Sequence, residues 1–215
     1  MTRTGIFILM LLPFIAFAQE PVKDSKAMAL LDNATAAFDS RRGIAADFII
    51  TLENTRDDRK ETIPGRIWLK GEKFKLSIRD VDTYFDGKTQ FVHLREVNEV
   101  TISNPAEEDL KEINPLMLLK SYREGYKMRF VESKQEGGKT IDVIDLYPED
   151  LKKPHSRITI SIEKGSMLLH SIRVQGKDGV NMTLAIQKYD NTALPDSIFV
   201  FNPNNVKGIE VIDLR

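Results

Sequence analysis

Residues whose types and spacing could bind phosphate or calcium occur together in one short region. Gly87-Lys88-Thr89 resembles the end of a phosphate-binding loop, but the glycine required five residues earlier is replaced by Asp82. Asp80 and Asp86 could offer carboxylates to calcium, but the aromatic pair Tyr84-Phe85 interrupts the calcium-loop pattern. We therefore interpret this region as a hairpin turn rather than a nucleotide or metal site.

The other reactive residues form no recognisable catalytic arrangement. His93, His155 and His170 lie far apart in the sequence, and there is no cysteine for thiol chemistry, disulfides or lipid modification. Neither the Gly-x-Ser-x-Gly nucleophile motif nor the His-Glu-x-x-His zinc motif occurs. We expect no catalytic residue, no metal, no cofactor and no enzymatic activity, and a hydrolase is the least expected class.

What the sequence offers instead is a set of strands with one apolar face and one charged face. In the stretch from residue 65 to 103, Phe74 and Leu76 alternate with Lys73 and Lys75, so each pair lies on its own side of a strand. Asp86-Gly87 provides the sharpest turn signal of this stretch. Similar alternation elsewhere predicts roughly eleven strands, too many for a flat open sheet, which should curl towards a partial or closed barrel.

An amphipathic helix is predicted over residues 24–42. Asp24 or Ser25 can cap it, and apolar residues, including Leu31 and Phe38, recur at three- and four-residue spacing. A second, short helix is predicted at about residues 115–124. The sequence pattern leaves two interpretations open: the large apolar residues fill the barrel, or part of the apolar face borders a ligand cavity.

Residues 1–18 have the features of a cleaved secretory signal peptide. Arg3 gives a positive start, residues 6–17 are apolar, and Ala16-Phe17-Ala18 forms a small-x-small cleavage site. The apolar run is short for a membrane span, although an uncleaved anchor is the alternative. We expect cleavage after Ala18 and a single domain over residues 19–215.

The charge balance argues against a nucleic-acid partner. The formal net charge is −1, and it becomes −2 without residues 1–18, which contain one arginine and no acidic residue. A protein that binds nucleic acid broadly needs a basic surface. We therefore expect no nucleic acid among its ligands.

Several short motifs run through the chain in a characteristic order. They are Gly65-Arg66-Ile67-Trp68-Leu69-Lys70, Phe74-Lys75-Leu76, Phe85-Asp86-Gly87-Lys88-Thr89, Asn114-Pro115-Leu116-Met117-Leu118-Leu119, Phe199-Val200-Phe201-Asn202-Pro203 and Gly208-Ile209-Glu210-Val211. This series resembles the LolA-type periplasmic carriers of outer-membrane lipoproteins. The likeness covers nearly the whole chain after residue 18, and the order carries more weight than any single motif.

The resemblance implies an α+β fold in which a strongly curved antiparallel sheet of about eleven strands forms an incomplete β-barrel. An N-terminal helix and short lid helices would cover its concave apolar face. It further implies a monomeric periplasmic carrier that binds the acyl chains of lipoproteins and moves them from the inner to the outer membrane. Its partners would be acylated lipoproteins, an inner-membrane ABC-type transporter that releases them, and an outer-membrane acceptor.

The resemblance also favours a cavity over a filled barrel. The residues expected to line the cavity and its lid are apolar and come from the helix, the strands and the lid segment: Met28, Leu31, Phe38, Phe48, Ile50, Leu52, Ile67, Leu69, Phe74, Leu76, Phe91, Leu116, Met117, Leu119, Met128, Phe130, Met182 and Leu184. Many family members carry Lys-Arg-Pro after the tryptophan strand, and the arginine is associated with holding the lid closed. This chain has Lys70-Gly71-Glu72 there, so Lys70 is the candidate latch, without the forked geometry of arginine.

Two other function classes fit the same fold. One is a periplasmic sensor or regulator that detects mislocalised lipoprotein. The other is a structural or protein-binding envelope module in which the barrel is filled. Bound lipid, or saturable uptake of an apolar dye, would separate a carrier from a filled module.

Overall fold

The computed structural model describes residues 24–39, 43–106, 110, 122–123, 125–191 and 193–215. These residues form one helix and one large sheet, and the predicted signal peptide, residues 1–18, lies outside them. The helix is α1 (Ser25–Asp39), and the strands are β1 (Ile44–Asn54), β2 (Arg59–Lys70), β3 (Lys73–Ile78), β4 (Val81–Phe85), β5 (Gln90–Leu94), β6 (Glu99–Ser103), β7 (Tyr126–Glu136), β8 (Lys139–Pro148), β9 (His155–Glu163), β10 (Leu168–Gly176), β11 (Val180–Asp190) and β12 (Glu210–Asp213).

The twelve strands form a single curved, unclosed sheet in the order β12-β6-β5-β4-β3-β2-β1-β11-β10-β9-β8-β7. Neighbours pair antiparallel, except that β12 runs parallel to β6. The curved sheet and N-terminal helix are confirmed, with twelve strands where about eleven were expected. The expected lid segment, residues 114–119, lies outside the described residues.

Helix α1 begins where the sequence predicts, because its cap is formed by local chemistry. The Asp24 carboxylate accepts hydrogen bonds from the backbone N–H groups of Lys26 (3.0 Å) and Ala27 (3.1 Å), which have no partner within the first turn of the helix. The described helix runs to Asp39, and residues 40–42, which complete the predicted span, lie outside the described residues.

The side of the sheet that carries α1 is called the helix face here, and it holds two hydrophobic cores. In the first core, the helix packs on strands β7 to β10; its buried members include Leu31, Met128, Ile144 and Ile160. The second core is formed mainly by β1 to β4, and Phe38 near the end of α1 packs against it. The helix therefore contacts both halves of the sheet.

The opposite face of β2 to β6 is crossed by residues 193–209, which we call the strap. The strap connects β11 to β12 and contains two short 3-10 turns, Asp196–Phe199 and Pro203–Asn205. Phe199 is fully buried, and Phe201 packs between aromatic rings of the sheet. The expected closing strand is thus confined to β12, because the apolar residues preceding it form packed turns instead.

Candidate apolar binding face

Strand register decides which apolar side chains share the helix face. Phe48 on β1 is opposite Ile186 on β11, while Ile67 on β2 is opposite Leu76 on β3, and directly paired residues project to the same side. The closely packed part of this surface is the second core, where Phe74 and Phe85 pack with ring centroids 5.5 Å apart. These side chains leave little accessible surface for a ligand.

Beyond the second core, the helix face continues as a set of half-buried aliphatic side chains, which we call the aliphatic band. The register pairs Ile50 with Ile63, Ile78 with Val81, Val81 with Leu94, and Leu52 and Val174 with Met182, so all of them project to the helix face. The members of the band are Ile50, Leu52, Ile63, Ile78, Val81, Val92, Leu94, Val174 and Met182, each partly accessible.

The chemical character of the aliphatic band suits apolar ligands. Its members are aliphatic or thioether side chains, which provide dispersion contacts and a surface that gains free energy when water leaves it. Met182 adds an unbranched, flexible side chain that can adapt to different shapes. The band can therefore cover a hydrocarbon chain but offers no group for acid-base or nucleophilic chemistry.

The predicted cavity residues divide into three groups on this face. Met28, Leu31, Met128 and Phe130 belong to or pack against the first core. A second group, located in or against the second core, comprises Phe38, Phe48, Ile67, Leu69, Phe74, Leu76 and Leu184. The remaining described members, Ile50, Leu52 and Met182, lie in the aliphatic band, where Ile50 also packs against the second core.

Phe91 is the predicted residue that the structure places elsewhere. It pairs with Tyr84 across β4 and β5, and Tyr84 pairs with Lys75 on β3, which puts all three on the face opposite the helix. There the Phe91 ring lies 6.3 Å from the ring of Phe201 in the strap. Phe91 was expected to line the apolar cavity, but the register pairs Gln90 with Phe85, so Gln90 and not Phe91 projects to the helix face.

The predicted lid residues Leu116, Met117 and Leu119 lie outside the described residues. Next to them, Leu110 packs in the second core and Tyr122 in the first. The Tyr122 hydroxyl donates to the carboxylate of Asp32 on α1, which Arg123 also contacts. Burial and the nearby Asp32 carboxylate raise the pKa of Tyr122, so this hydroxyl stays protonated and keeps donating.

Lys70, the candidate latch, holds the strap on the opposite face. Its ammonium group donates to the Leu194 carbonyl (2.9 Å) and to the Asp196 carboxylate (2.7 Å), while Lys73 binds the second oxygen of Asp196 (2.8 Å). Hydrogen bonds from Lys70 and Lys73 lower the pKa of Asp196 to about 2. These contacts join Lys70 to the strap, while the lid segment that it was expected to hold, residues 114–119, lies outside the described residues.

Asp24 links the helix to the far edge of the sheet. Besides capping α1, its carboxylate accepts a 2.7 Å hydrogen bond from the backbone N–H of Phe130 on β7. That hydrogen bond, followed by those from Ala27 and Lys26, lowers the pKa of Asp24 against the opposing effect of burial. The Lys26 ammonium group lies 3.4 Å from the centroid of the Phe130 ring.

The described residues contain no group of three or more histidine, cysteine, aspartate or glutamate side chains that could hold a metal ion. In the same part of the chain, no helix is both long and apolar enough to cross a bilayer. A cleft of about 380 Å³, lined by charged residues and glycines, lies beside the strap, but the ammonium groups of Lys70 and Lys73 on its wall are already bound to Asp196.

Sequence reasoning missed two features of the described structure. One is the strap, whose sequence signal is the pair of prolines, Pro195 and Pro203, flanking an apolar run; each precedes or opens a 3-10 turn. The other is Gln90, a buried amide on the helix face whose nitrogen has no hydrogen-bond partner. Nothing in the local pattern around Gln90 distinguishes it from a solvated strand residue.

The sequence model of the family described as outer membrane lipoprotein carrier protein LolA matches residues 15–144. A search of curated proteins by sequence gave no match.

Among solved structures, an uncharacterized conserved protein from Thermus thermophilus matches with a TM-score of 0.58 and 12% identity, covering 87% of this chain and 99% of that one. The MucA/MucB complex of Pseudomonas aeruginosa matches with a TM-score of 0.52 and 13% identity, covering 83% of this chain and 62% of that one. At these identities the structural likeness shows a common fold.

Proposed function

The chain belongs to the LolA family of outer membrane lipoprotein carrier proteins, and on that premise we propose that it binds lipoprotein acyl chains on its helix face. It carries them across the periplasm from the inner to the outer membrane. The signal-peptide features of residues 1–18 support export to that compartment.

The observation that carries the proposal is the aliphatic band. A soluble domain normally buries such residues or scatters them, whereas contiguous accessible apolar surface marks a binding site. Here the half-buried side chains continue a fully packed core on the same face of the same strands, as Ile50 follows Phe48 on β1. A hydrocarbon chain bound to the band would therefore cover accessible apolar side chains and extend the apolar contacts of the second core.

The energetics of the task explain why a carrier needs such a surface. Exposing a sixteen-carbon acyl chain to water costs on the order of 12 kcal/mol at about 0.8 kcal/mol per methylene. An apolar face removes most of that cost. Because the face is partly accessible rather than enclosed, the acyl chain can also leave it for a membrane or an acceptor.

An inner-membrane ABC-type transporter would load the carrier and an outer-membrane acceptor would unload it, by analogy with the family.

The test compares two substitutions at adjacent positions of β1. Ile50→Glu places a carboxylate in the aliphatic band, while Thr51→Glu places the same group on the opposite face, where Thr51 pairs with Thr62 and Thr183. We expect Ile50→Glu to weaken binding of a fluorescent fatty acid, NBD-stearate, by about tenfold or more, because an acyl chain would cover an unpaired charge. Thr51→Glu should bind like the wild type.

Mass spectrometry of lipids retained after purification from the periplasm gives an independent readout. The wild type and Thr51→Glu should retain acylated molecules, and Ile50→Glu should not. Equal retention by both glutamate variants would move the binding surface away from the band. A folded wild type that takes up no NBD-stearate and retains no acylated molecule would overturn the carrier function itself.

A second candidate is a regulator that recognises protein, favoured by the likeness to MucB, which has been crystallised with MucA. A synthetic triacylated lipopeptide and the same peptide without acyl chains separate the two. Carrier function requires that the acylated peptide binds and the bare peptide does not. Equal affinity for both would favour recognition of the polypeptide.

A further inference from the structure

Gln90 is a buried amide in which the side-chain oxygen has a hydrogen-bond partner and the nitrogen has none. The side chain is 6% exposed, and its nitrogen Nε2 has no hydrogen-bond partner. Its oxygen accepts from the Ser103 hydroxyl at 3.4 Å. Because a buried donor without a partner has lost its hydrogen bonds to water and gained none in return, native proteins rarely keep one.

The neighbouring polar groups already have partners. The Asp86 carboxylate accepts from the backbone N–H groups of Lys88 (2.9 Å) and Thr89 (2.8 Å). The Thr89 hydroxyl donates to the Asn104 side-chain oxygen at 3.1 Å. The described hydrogen bonds around Gln90 thus orient its oxygen towards β6 and leave the two protons of Nε2 for another acceptor.

The position of Gln90 on the helix face indicates what that acceptor is. Gln90 pairs with Phe85 on β4, a member of the second core, and with Ser103 on β6. Along the same side of β5, the next two residues are Val92 and Leu94, both half-buried members of the aliphatic band. The Gln90 amide donor therefore lies at one end of a row of apolar side chains, and the distance from Gln90 to Leu94 along the strand is roughly 13 Å.

We propose that the Gln90 amide is a subsite that donates a hydrogen bond to the carbonyl oxygen of an acyl group whose hydrocarbon chain lies along Val92 and Leu94. This inference rests on the proposed binding of acyl chains to the helix face and specifies how the acyl group is recognised. An ester or amide carbonyl adjoining a hydrocarbon chain supplies the missing acceptor and matches the apolar surroundings. A plain hydrocarbon chain would leave Nε2 unsatisfied.

The test uses two lipids that differ in one carbonyl group. 1-Palmitoyl-lysophosphatidylcholine has an ester at the start of its chain, and 1-O-hexadecyl-lysophosphatidylcholine has an ether with the same chain length and headgroup. We expect the wild type to bind the ester about tenfold more tightly than the ether, the usual value of a buried hydrogen bond that would otherwise be missing. A diacylglyceryl-cysteine peptide and its dialkyl ether analogue repeat the comparison with a lipoprotein-type ligand and show which source of the carbonyl is preferred.

The variant Gln90→Leu assigns the preference to this side chain. It should bind the ether as the wild type does and lose the preference for the ester. Gln135→Leu is the matched control, because Gln135 lies in the exposed β7–β8 hairpin and donates to Thr140 (2.8 Å); it should keep the preference. Infrared spectra of a ¹³C-carbonyl ester bound to the wild type should show a carbonyl stretch at lower frequency than in Gln90→Leu.

The outcomes separate the subsite from the function on which it rests. If the wild type binds ester and ether equally, or if Gln90→Leu keeps the preference, the subsite is wrong while acyl binding stands. If a folded wild type binds neither lipid and neither peptide, acyl binding on the helix face fails and the subsite fails with it. Equal binding of ester and ether by the wild type overturns the subsite even if Gln90→Leu does not fold.

Discussion

Phe48 lies directly over Gly65 on the neighbouring strand, and this contact depends on the missing side chain of glycine. A Cβ atom on Gly65 would stand 2.4 Å from the Phe48 ring, well inside contact distance. Phe48 is one of the buried members of the second core and pairs with Gly65 in the register of β1 and β2. The glycine that opens the tryptophan-strand motif therefore makes room for a core residue.

We expect Gly65→Ala to destabilise the protein by about 1–3 kcal/mol, because the Phe48 ring must leave its place in a close-packed core. Urea unfolding followed by circular dichroism measures the change. Gly165→Ala is the control, since a Cβ atom there meets no atom within 4 Å and its backbone needs no positive φ. Equal stability of Gly65→Ala and wild type would show that the ring has another low-energy position.

Asp24 gives a second prediction, which depends on pH. Asp24→Ala removes the helix cap and the acceptor for the Phe130 N–H group, so we expect a loss of about 1–3 kcal/mol at pH 7. The pKa of Asp24 is lowered from 3.8 on folding, so its contribution is fully present above pH 3.8 and disappears as the pH falls through the folded value. The stability difference between wild type and Asp24→Ala should therefore shrink in acid.

Urea unfolding of both proteins between pH 7 and pH 3 checks this dependence. Asp178→Ala is the control, because the Asp178 carboxylate accepts one N–H group, from Val180, in an exposed turn (3.0 Å). It should cost less than about 0.5 kcal/mol. A difference between wild type and Asp24→Ala that stays constant with pH would mean that the ionised carboxylate is not the stabilising form.

These residues show which contacts can be predicted from neighbouring positions in the sequence and which cannot. The cap of α1 could be predicted because an aspartate before an amphipathic pattern satisfies N–H groups two and three residues away. The bond from Phe130 to the same carboxylate joins residues 106 positions apart and follows only from the packing of α1 against β7. The unpaired side-chain nitrogen of Gln90 could not be predicted for the same reason, since it results from the register of β4, β5 and β6.

Among the elements, the strap is the one whose structure differs most from its sequence pattern. The run from Ile198 to Phe201 is apolar, as in a strand, but Phe199 is a fully buried residue of a 3-10 turn, and Phe201 packs on the opposite face of the sheet. The centroid of the Phe201 ring lies 5.3 Å from that of the Tyr84 ring and 4.9 Å from that of the His93 ring. Alternation predicted the strands of the sheet well because each has one dry side, but the anchors of a connecting segment follow no period.

Phe201→Ala should release the end of the strap from the sheet. The lost aromatic contacts and the resulting cavity should cost about 3 kcal/mol, and because β12 pairs with β6 over only four residues, we expect the amide protons of β12 to exchange rapidly in the variant. Hydrogen exchange followed by mass spectrometry measures this region separately from β8 and β9, which should stay protected.

Val200→Ala is the matched control for the strap, because Val200 is the neighbouring residue and its side chain is half exposed. Exchange in β12 should be unchanged in this variant. If β12 stays protected in Phe201→Ala, the anchor is elsewhere, and the contact between Lys70 and Asp196 becomes the leading candidate.

At the scale of the whole molecule, the described sheet ends in two edge strands, β7 and β12, which lie at opposite ends of the strand order. Counting strands from the sequence came close, but whether the sheet closes depends on whether these two edges meet, which no local pattern determines. β12 is short, whereas β7 is eleven residues long and could pair with another chain.

We infer that charge and irregularity keep β7 from pairing with a second copy. Arg129 and Glu132 are exposed on this edge strand, and a bulge interrupts its register between Phe130 and Glu132. The double variant Arg129→Val and Glu132→Val removes both charges and makes residues 129–132 a continuous apolar run that contains Phe130 and the exposed Val131. We expect the wild type to be monomeric and the variant to dimerise or aggregate, as measured by light scattering coupled to size-exclusion chromatography.

A control with the same change in composition is available within the sheet. Arg173 on β10 and Glu53 on β1 form a surface ion pair (3.2 Å) on strands that already have neighbours on both sides, so Arg173→Val with Glu53→Val should remain monomeric. The loss of that exposed pair should have little effect on stability, because surface ion pairs are screened by solvent. If both double variants associate, general surface hydrophobicity explains the effect. If neither does, the bulge alone is enough to protect the edge.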